Sequence, residues 1–227
     1  MRLSQVFSPP RVVPSQHWFV ILLVLLLAYI VLSPLLDTSA RRLLDRTTLI
    51  SFILVAAIFC LRFGGLGLAT ARGLGLLALA SGWVTLVAHG PAMGIVSAVV
   101  RMVFFAVVVT TLIYQIAASR KVTLDVIVGA IDGYLLLGFM GAMAFTVLEL
   151  HSPGSLRAGV GSLAGTDFIY FSFITMATVG YGDIVPAAPL ARSAVVLLAV
   201  TGQLYVAILI SLLVGKYLGR GPAAPGA

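Results

Sequence analysis

The stretch Asp167-Phe168-Ile169-Tyr170-Phe171-Ser172-Phe173-Ile174-Thr175-Met176-Ala177-Thr178-Val179-Gly180-Tyr181-Gly182-Asp183 decides how the rest of the 227-residue chain is read. Thr166 or Asp167 can cap a helix at its start, and about three turns of apolar, aromatic helix follow. That helix, 167–177, is too short to cross a bilayer. It lies within His151–Pro189, a segment too long for a turn and too rich in Gly, Ser and Pro to be a span. A short apolar helix in this setting is expected to be re-entrant. Such an element is tolerated only where it is buried in protein or lines water.

The flanking composition agrees. Hydrophobic residues make up 61% of the chain, charged residues 9%, and the mean hydropathy is +1.15. Soluble domains carry about 25% charged residues, so a soluble enzyme is excluded. A disordered chain, which needs low hydrophobicity, is excluded too. Six stretches have the length and apolarity of transmembrane helices, two of them short. They are His17–Leu36, Thr47–Leu61, Gly73–Ala88 (with a start as early as Leu66 open), Met93–Ser119, Ile131–Leu150 and Leu190–Tyr217. The expected fold is an all-α membrane protein with six transmembrane helices and a re-entrant helix between the fifth and sixth. A cleaved signal peptide is the alternative for the first stretch, but its apolar run exceeds the usual 7–15 residues. Spans two and three as one kinked element would reduce the count to five. The segment 120–130 reads as an interfacial linker helix, with Thr123 as its cap, or as a cytosolic extension of the fifth span.

Thr178-Val179-Gly180-Tyr181-Gly182 follows the short helix directly, with Thr175 three residues before Thr178. Here the sequence resembles the potassium-channel family, whose selectivity filter carries this signature. The physical demand on such a filter is plain. An ion entering a narrow pore exchanges its hydration shell for oxygens. Successive backbone carbonyls supply them only if the backbone alternates in hand, and Gly accepts positive φ without a Cβ penalty. Gly180 and Gly182 meet that demand, and Thr178 adds a hydroxyl at the inner end. Val179 and Tyr181 are expected to turn outward and pack against the short helix and its neighbours. The negative end of the helix dipole would favour a cation below the filter.

The resemblance covers about 131–217. It implies that potassium binds at Thr178, Val179, Gly180 and Tyr181, with Gly182 completing the filter. It extends to Asp183, Pro186 and Arg192, and to Gly202 as a hinge within the sixth span. Tyr170 stands where the family usually has Trp, and its hydroxyl is placed to donate to Asp183. Ile174 stands where some members carry Glu, so that carboxylate is missing. Glu149 matches a position that ties the fifth span to the pore region. Thr175, Tyr170, Asp183 and Glu149 are thus the expected filter supports. One chain carries one filter strand, so the resemblance implies a homotetramer. A transporter with four repeats in one chain is the rival class, and a non-selective cation channel is a third. The single repeat argues against the first, and retention of both Tyr181 and Gly180 against the second.

Other signals are weaker. Gly73-Leu74-Gly75-Leu76-Leu77-Ala78 imitates a dinucleotide fingerprint but follows no strand. Small-residue helix packing explains it, as it does Gly129, Gly133, Gly138, Gly141 and Ala142. A voltage sensor needs a ladder of Arg in the fourth span, which holds only Arg101, so little or no intrinsic voltage sensing is expected. Arg101 is an internal ion-pair partner or a snorkelling residue. His17, His89 and His151 are unclustered, and no metal centre is expected. His151, near the pore mouth, is a candidate pH sensor or an ordinary exposed histidine. His17-Trp18 reads as an interfacial anchor. The lone Cys60 excludes an internal disulfide. With no carboxylate pair, nucleophile set or phosphate loop, no enzyme and no cofactor is expected beyond permeant potassium.

The expected domains are a cytosolic tail (1–16), a four-helix membrane domain (17–119), the linker (120–130), the pore domain (131–217) and a short tail (218–227). Tails of this length hold no ligand-binding domain. The filter loop faces outward, which puts both termini in the cytoplasm of a cell membrane. The net charge of +7 then distributes asymmetrically. Cytosolic segments hold Arg2, Arg11, Arg62, Arg72, Arg120, Lys121, Lys216 and Arg220 against Asp125 and Asp132. Outer segments balance Arg41, Arg42, Arg46, Arg157 and Arg192 with Asp37, Asp45, Glu149, Asp167 and Asp183. The excess thus follows the positive-inside rule and requires no nucleic-acid partner. The expected partners are the lipid bilayer, potassium ions and further copies of the chain.

Overall fold

The computed structural model describes residues 16–36, 42–61, 66–88, 90–119, 122–159, 163 and 165–218. The N-terminal head with Arg2 and Arg11, Asp37, Arg41, Arg62, His89, Arg120, Lys121 and the tail with Arg220 lie outside them. So do the side chains of Arg42, Asp45 and Arg46. The described chain runs α1 (Gln16–Leu36), α2 (Arg42–Cys60), α3 (Leu66–Val87), α4 (Pro91–Ala118), α5 (Leu124–His151), β1 (Leu156–Ala158), α6 (Gly165–Met176), β2 (Ile184–Pro186) and α7 (Pro189–Leu218).

Five of these helices, α1, α3, α4, α5 and α7, are long and apolar enough to cross a membrane. The apolar part of α2, Thr47–Cys60, is shorter. Helix α3 begins at Leu66, the earlier of the two expected starts. Arg72 therefore lies within a helix and not in a connecting segment. Pro91 opens α4, where its missing N–H costs nothing.

The segment after α4 does not form a helix of its own. Residues 124–130 are the first turns of α5, which continues unbroken to His151. No proline interrupts 124–151, and nothing else there stops a helix once started. Thr123 occupies the cap position but serves through its main-chain oxygen. That oxygen accepts the N–H groups of Val126 at 3.1 Å and Ile127 at 3.2 Å.

Helix α5 is the hub, packing against α4, α1, α6 and α7. Helices α1 to α4 gather on one side of it, with Leu22, Leu26, Ile53, Leu54, Phe104, Phe105 and Leu112 buried among them. Phe145 is buried where α5 meets α6, with its ring against Phe171. Glycine permits the close approaches. A side chain at Gly138 would strike the Phe173 ring, and one at Gly141 would strike Ser172 and Leu198. Among the described residues helix α7 packs mainly against α5, α6 and β2, and much of its surface is exposed apolar side chain, including Val196, Leu197, Leu204 and Ile208.

Two placements differ from the charge assignment above. Asp132, counted with the cytosolic charges, is fully buried (0% exposed) within α5. Arg101 donates from Nε to the Ser97 oxygen (3.1 Å) and from its terminal nitrogen to Ser97 Oγ (2.5 Å). Ser97 Oγ in turn lies 3.3 Å from Ser81 Oγ. A local serine network engages this guanidinium.

Candidate functional site

The site is assembled from the end of α6 outward. Its buried residues Phe168, Ile169, Phe171, Ser172 and Met176 fasten it against α5 and α7. Phe171 meets Phe145 with ring centroids 4.9 Å apart, and Phe173 meets Phe139 edge-on at 5.9 Å. Ser172 Oγ donates to the Gly138 oxygen at 2.6 Å. The helix begins two residues before the expected 167 and ends at Met176.

Its last carbonyls are tied to the loop that follows. The Thr178 N–H donates to the Thr175 oxygen at 3.1 Å, and the Val179 N–H to the Ile174 oxygen at 2.9 Å. The Gly180 N–H shares that Ile174 oxygen at 3.3 Å. The negative end of the helix therefore meets the loop at Thr178.

The backbone then alternates in hand. Thr178 (φ 57°), Gly180 (φ 53°) and Gly182 (φ 79°) are left-handed, while Val179 and Tyr181 between them are not. The two glycines stand where the alternation needs them. Thr178 does so without a glycine's freedom, at a cost of roughly 1–2 kcal/mol. Sequence reasoning did not anticipate that strained threonine.

Val179 and Tyr181 were expected to turn outward and pack against the short helix and its neighbours. They are 49% and 73% exposed in the single chain.

Behind the loop, the Tyr170 hydroxyl donates to Asp183 Oδ2 at 2.7 Å. This bond, with the nearby carboxylate charge, pushes the phenol up to about 12. Glu149, at the outer end of α5, receives the Gly154 N–H on Oε1 (2.6 Å) and the Leu156 N–H on Oε2 (3.0 Å). It thereby anchors β1, which pairs antiparallel with β2 in the register Leu156↔Pro186, Arg157↔Val185 and Ala158↔Ile184. The Gly159 N–H reaches the Asp183 oxygen at 3.1 Å, closing the loop's outer side. Short strands were not expected from the sequence, since three residues leave little periodicity to detect.

Gly202 lies within an unbroken α7 and faces the end of α6. A Cβ there would stand 3.2 Å from Met176 Cγ, 3.3 Å from its Cβ and 3.4 Å from its Cα. Gln203 Nε2 donates to the Met176 oxygen at 3.1 Å. Gln203 was missed in the sequence. The available signal was a polar side chain inside an apolar span. Thr175, Tyr170, Asp183 and Glu149 thus all contact the loop or its frame. His151 is exposed at the end of α5. No cluster of three or more His, Cys, Asp or Glu side chains suited to a metal ion occurs among the described residues.

Comparison with known proteins converges on the same region. Residues 131–218 match a family model described as an ion channel. Over 88 residues the chain is 36% identical to the inward rectifier potassium channel Kirbac3.1 of Paramagnetospirillum magnetotacticum. The match covers 37% of this chain and 27% of the relative, so the chain spans about a quarter of that protein's length. No solved structure matches. Residues 131–218 are thus similar to an ion-channel domain and to part of a potassium channel.

Proposed function

We propose that the chain is one subunit of a homotetrameric, potassium-selective channel that conducts passively across a cell membrane. Alternation of backbone hand over Thr178, Gly180 and Gly182 carries this reading. It is the local geometry a carbonyl-lined filter needs, and four such strands around an axis complete the cage. Exposed Val179 and Tyr181, with the open apolar face of α7, supply surfaces for neighbouring subunits.

In this reading α2 completes a six-span topology, both termini are cytoplasmic, and α7 lines the inner cavity. Ions shed water at Thr178–Gly182 and advance in single file by mutual repulsion. Bending of α7 near Gly202 serves as the gate. With Arg101 alone in α4, intrinsic voltage dependence is weak or absent. The chain performs no catalysis and needs no cofactor other than the permeant ion.

The test is reconstitution into liposomes with potassium and sodium fluxes measured side by side. Potassium flux far above sodium flux is expected, and comparable fluxes overturn the proposal. Gly180→Val should abolish conduction while the assembly stays folded. Retained selective flux in that variant would refute the filter assignment.

A further inference from the structure

Asp132 is 0% exposed, and neither carboxyl oxygen has a hydrogen-bond partner. The described residues place no cation against it. An ionised carboxylate is not sustained in such a setting, because the loss of hydration is uncompensated. The neighbouring turn of α5 receives α7. Tyr205 donates from its hydroxyl to the Ala130 oxygen at 2.8 Å, and its ring end fills the space that a side chain at Gly133 would need. Tyr134 also flanks Tyr205, with ring centroids 6.2 Å apart.

We propose that the Asp132 carboxyl is a proton-binding site between α5 and α7. It stays neutral while Tyr205 is seated on α5, and losing its proton releases α7. The proposal rests on the reading of α7 as the pore-lining helix.

The surroundings leave the carboxyl as the titrating group. From α7 the facing ionisable group is Tyr205 itself. On α4, the Gln115 amide does not titrate, and its nitrogen also has no hydrogen-bond partner. Arg101 on α4 is engaged by Ser97. From α1, Tyr29 packs on Phe139, about two turns away along α5. On α6, Asp167 and Tyr170 lie toward the filter's outer side. Asp125 and Tyr134 belong to α5.

The sign follows from geometry. An ionised Asp132 needs water, and water enters only if α7 moves off α5. With α7 read as the pore-lining helix, α5 would stand behind it, so an α7 released from α5 would move toward the axis and narrow the pore. Raising cytosolic pH therefore closes the channel. One proton per subunit changes the open–closed equilibrium by up to about tenfold per pH unit for each coupled subunit.

The experiment combines bilayer recording with infrared spectroscopy. Open probability of the wild-type protein should fall as cytosolic pH is raised. Asp132→Asn should keep potassium-selective current with a flat pH response. Tyr205→Phe, which leaves the carboxyl in place, should shift the fall to lower pH. Wild-type protein in lipid at neutral pH should show a protonated-carboxyl C=O band that Asp132→Asn lacks. Identical pH responses in wild type and Asp132→Asn overturn the proposal, as does absence of the band from the wild type. Absence of all current would refute the channel reading instead, and the infrared band would still decide the state of Asp132.

Discussion

The hydroxyl of Tyr170 donates to Oδ2 of Asp183 across 2.7 Å, joining the middle of α6 to the residue just beyond the loop. Thirteen residues separate the two in sequence, and the proposed filter strand lies in the chain between them. The bond spans this strand like a tie-bar, so its loss should loosen the strand without unfolding the helix. Tyr170→Phe is expected to shorten openings while preserving potassium selectivity, as measured in single-channel records.

The same pair predicts a pH response by its sign. A phenol raised above its ordinary value favours the protonated form in the folded state. Its contribution is complete below about 10 and is lost as pH rises through about 12. The tie therefore holds throughout the range in which lipid bilayers are usually studied. Any pH dependence between 6 and 9 should survive Tyr170→Phe unchanged, and recordings of both proteins across that range check this.

Glu149 binds two main-chain N–H groups with its two carboxylate oxygens. Glu149→Gln removes the charge and leaves one acceptor oxygen, so one N–H loses its partner. The expected cost is about 1–2 kcal/mol per chain. It should appear as a lowered thermal midpoint, with faster hydrogen exchange confined to 152–159. Exchange unchanged in that segment would contradict the anchoring role.

Gly202 contacts the last residue of α6 closely enough to make its replacement informative. Gly202→Ala places a methyl against Met176, an overpacking cost of about 1 kcal/mol. Open probability should change, and Met176→Ala should recover part of the loss by removing the crowded Cγ. A glycine acting only as a hinge gives no such rescue. The double-mutant comparison in bilayers separates the two.

Lys216, near the end of α7, donates from Nζ to the main-chain oxygens of Ile116 and Ala117 (3.0 Å for the latter) and to Ser119 Oγ (3.3 Å). It thereby supplies a cation to the carbonyl end of α4, where the helix dipole is negative. Lys216→Met should destabilise this contact by about 1–3 kcal/mol. It should also alter the open–closed balance, because the fastened helix is the one assigned to the pore. A thermal midpoint and open probability equal to wild type would show the contact to be idle.

Much of the site was legible because its requirements are local. Gly180 and Gly182 announce a backbone of positive φ, and the apolar run before Thr178 announces a helix too short to cross. The reach of Tyr170 to Asp183 was what the resemblance to the potassium-channel family implied, since Tyr170 stands where that family usually has Trp. Gln203 and Asp132 were less legible. Both are polar residues in apolar spans, a pattern that flags importance without naming a partner. Gln203 finds Met176 at 27 residues' separation, and Tyr205 finds Ala130 at 75. Neither distance can be read from periodicity.

By itself, the sequence determined the solvent of this protein, its helices and the chemistry of its loop. Apolar run length selects a bilayer, and residue type selects backbone hand. The tertiary structure decided what those elements do to one another. It extended α5 back to Leu124, put the strained left-handed conformation on Thr178, and closed the outer loop with a two-stranded ribbon. It also enclosed Asp132, which its place near a basic loop had suggested was solvated. The physical reason is the same in each case. Local conformation depends on neighbours in the chain, whereas burial depends on which distant helix arrives, and here α7 arrives with Tyr205 donating to the Ala130 oxygen, within a turn of a carboxyl whose oxygens have no hydrogen-bond partner.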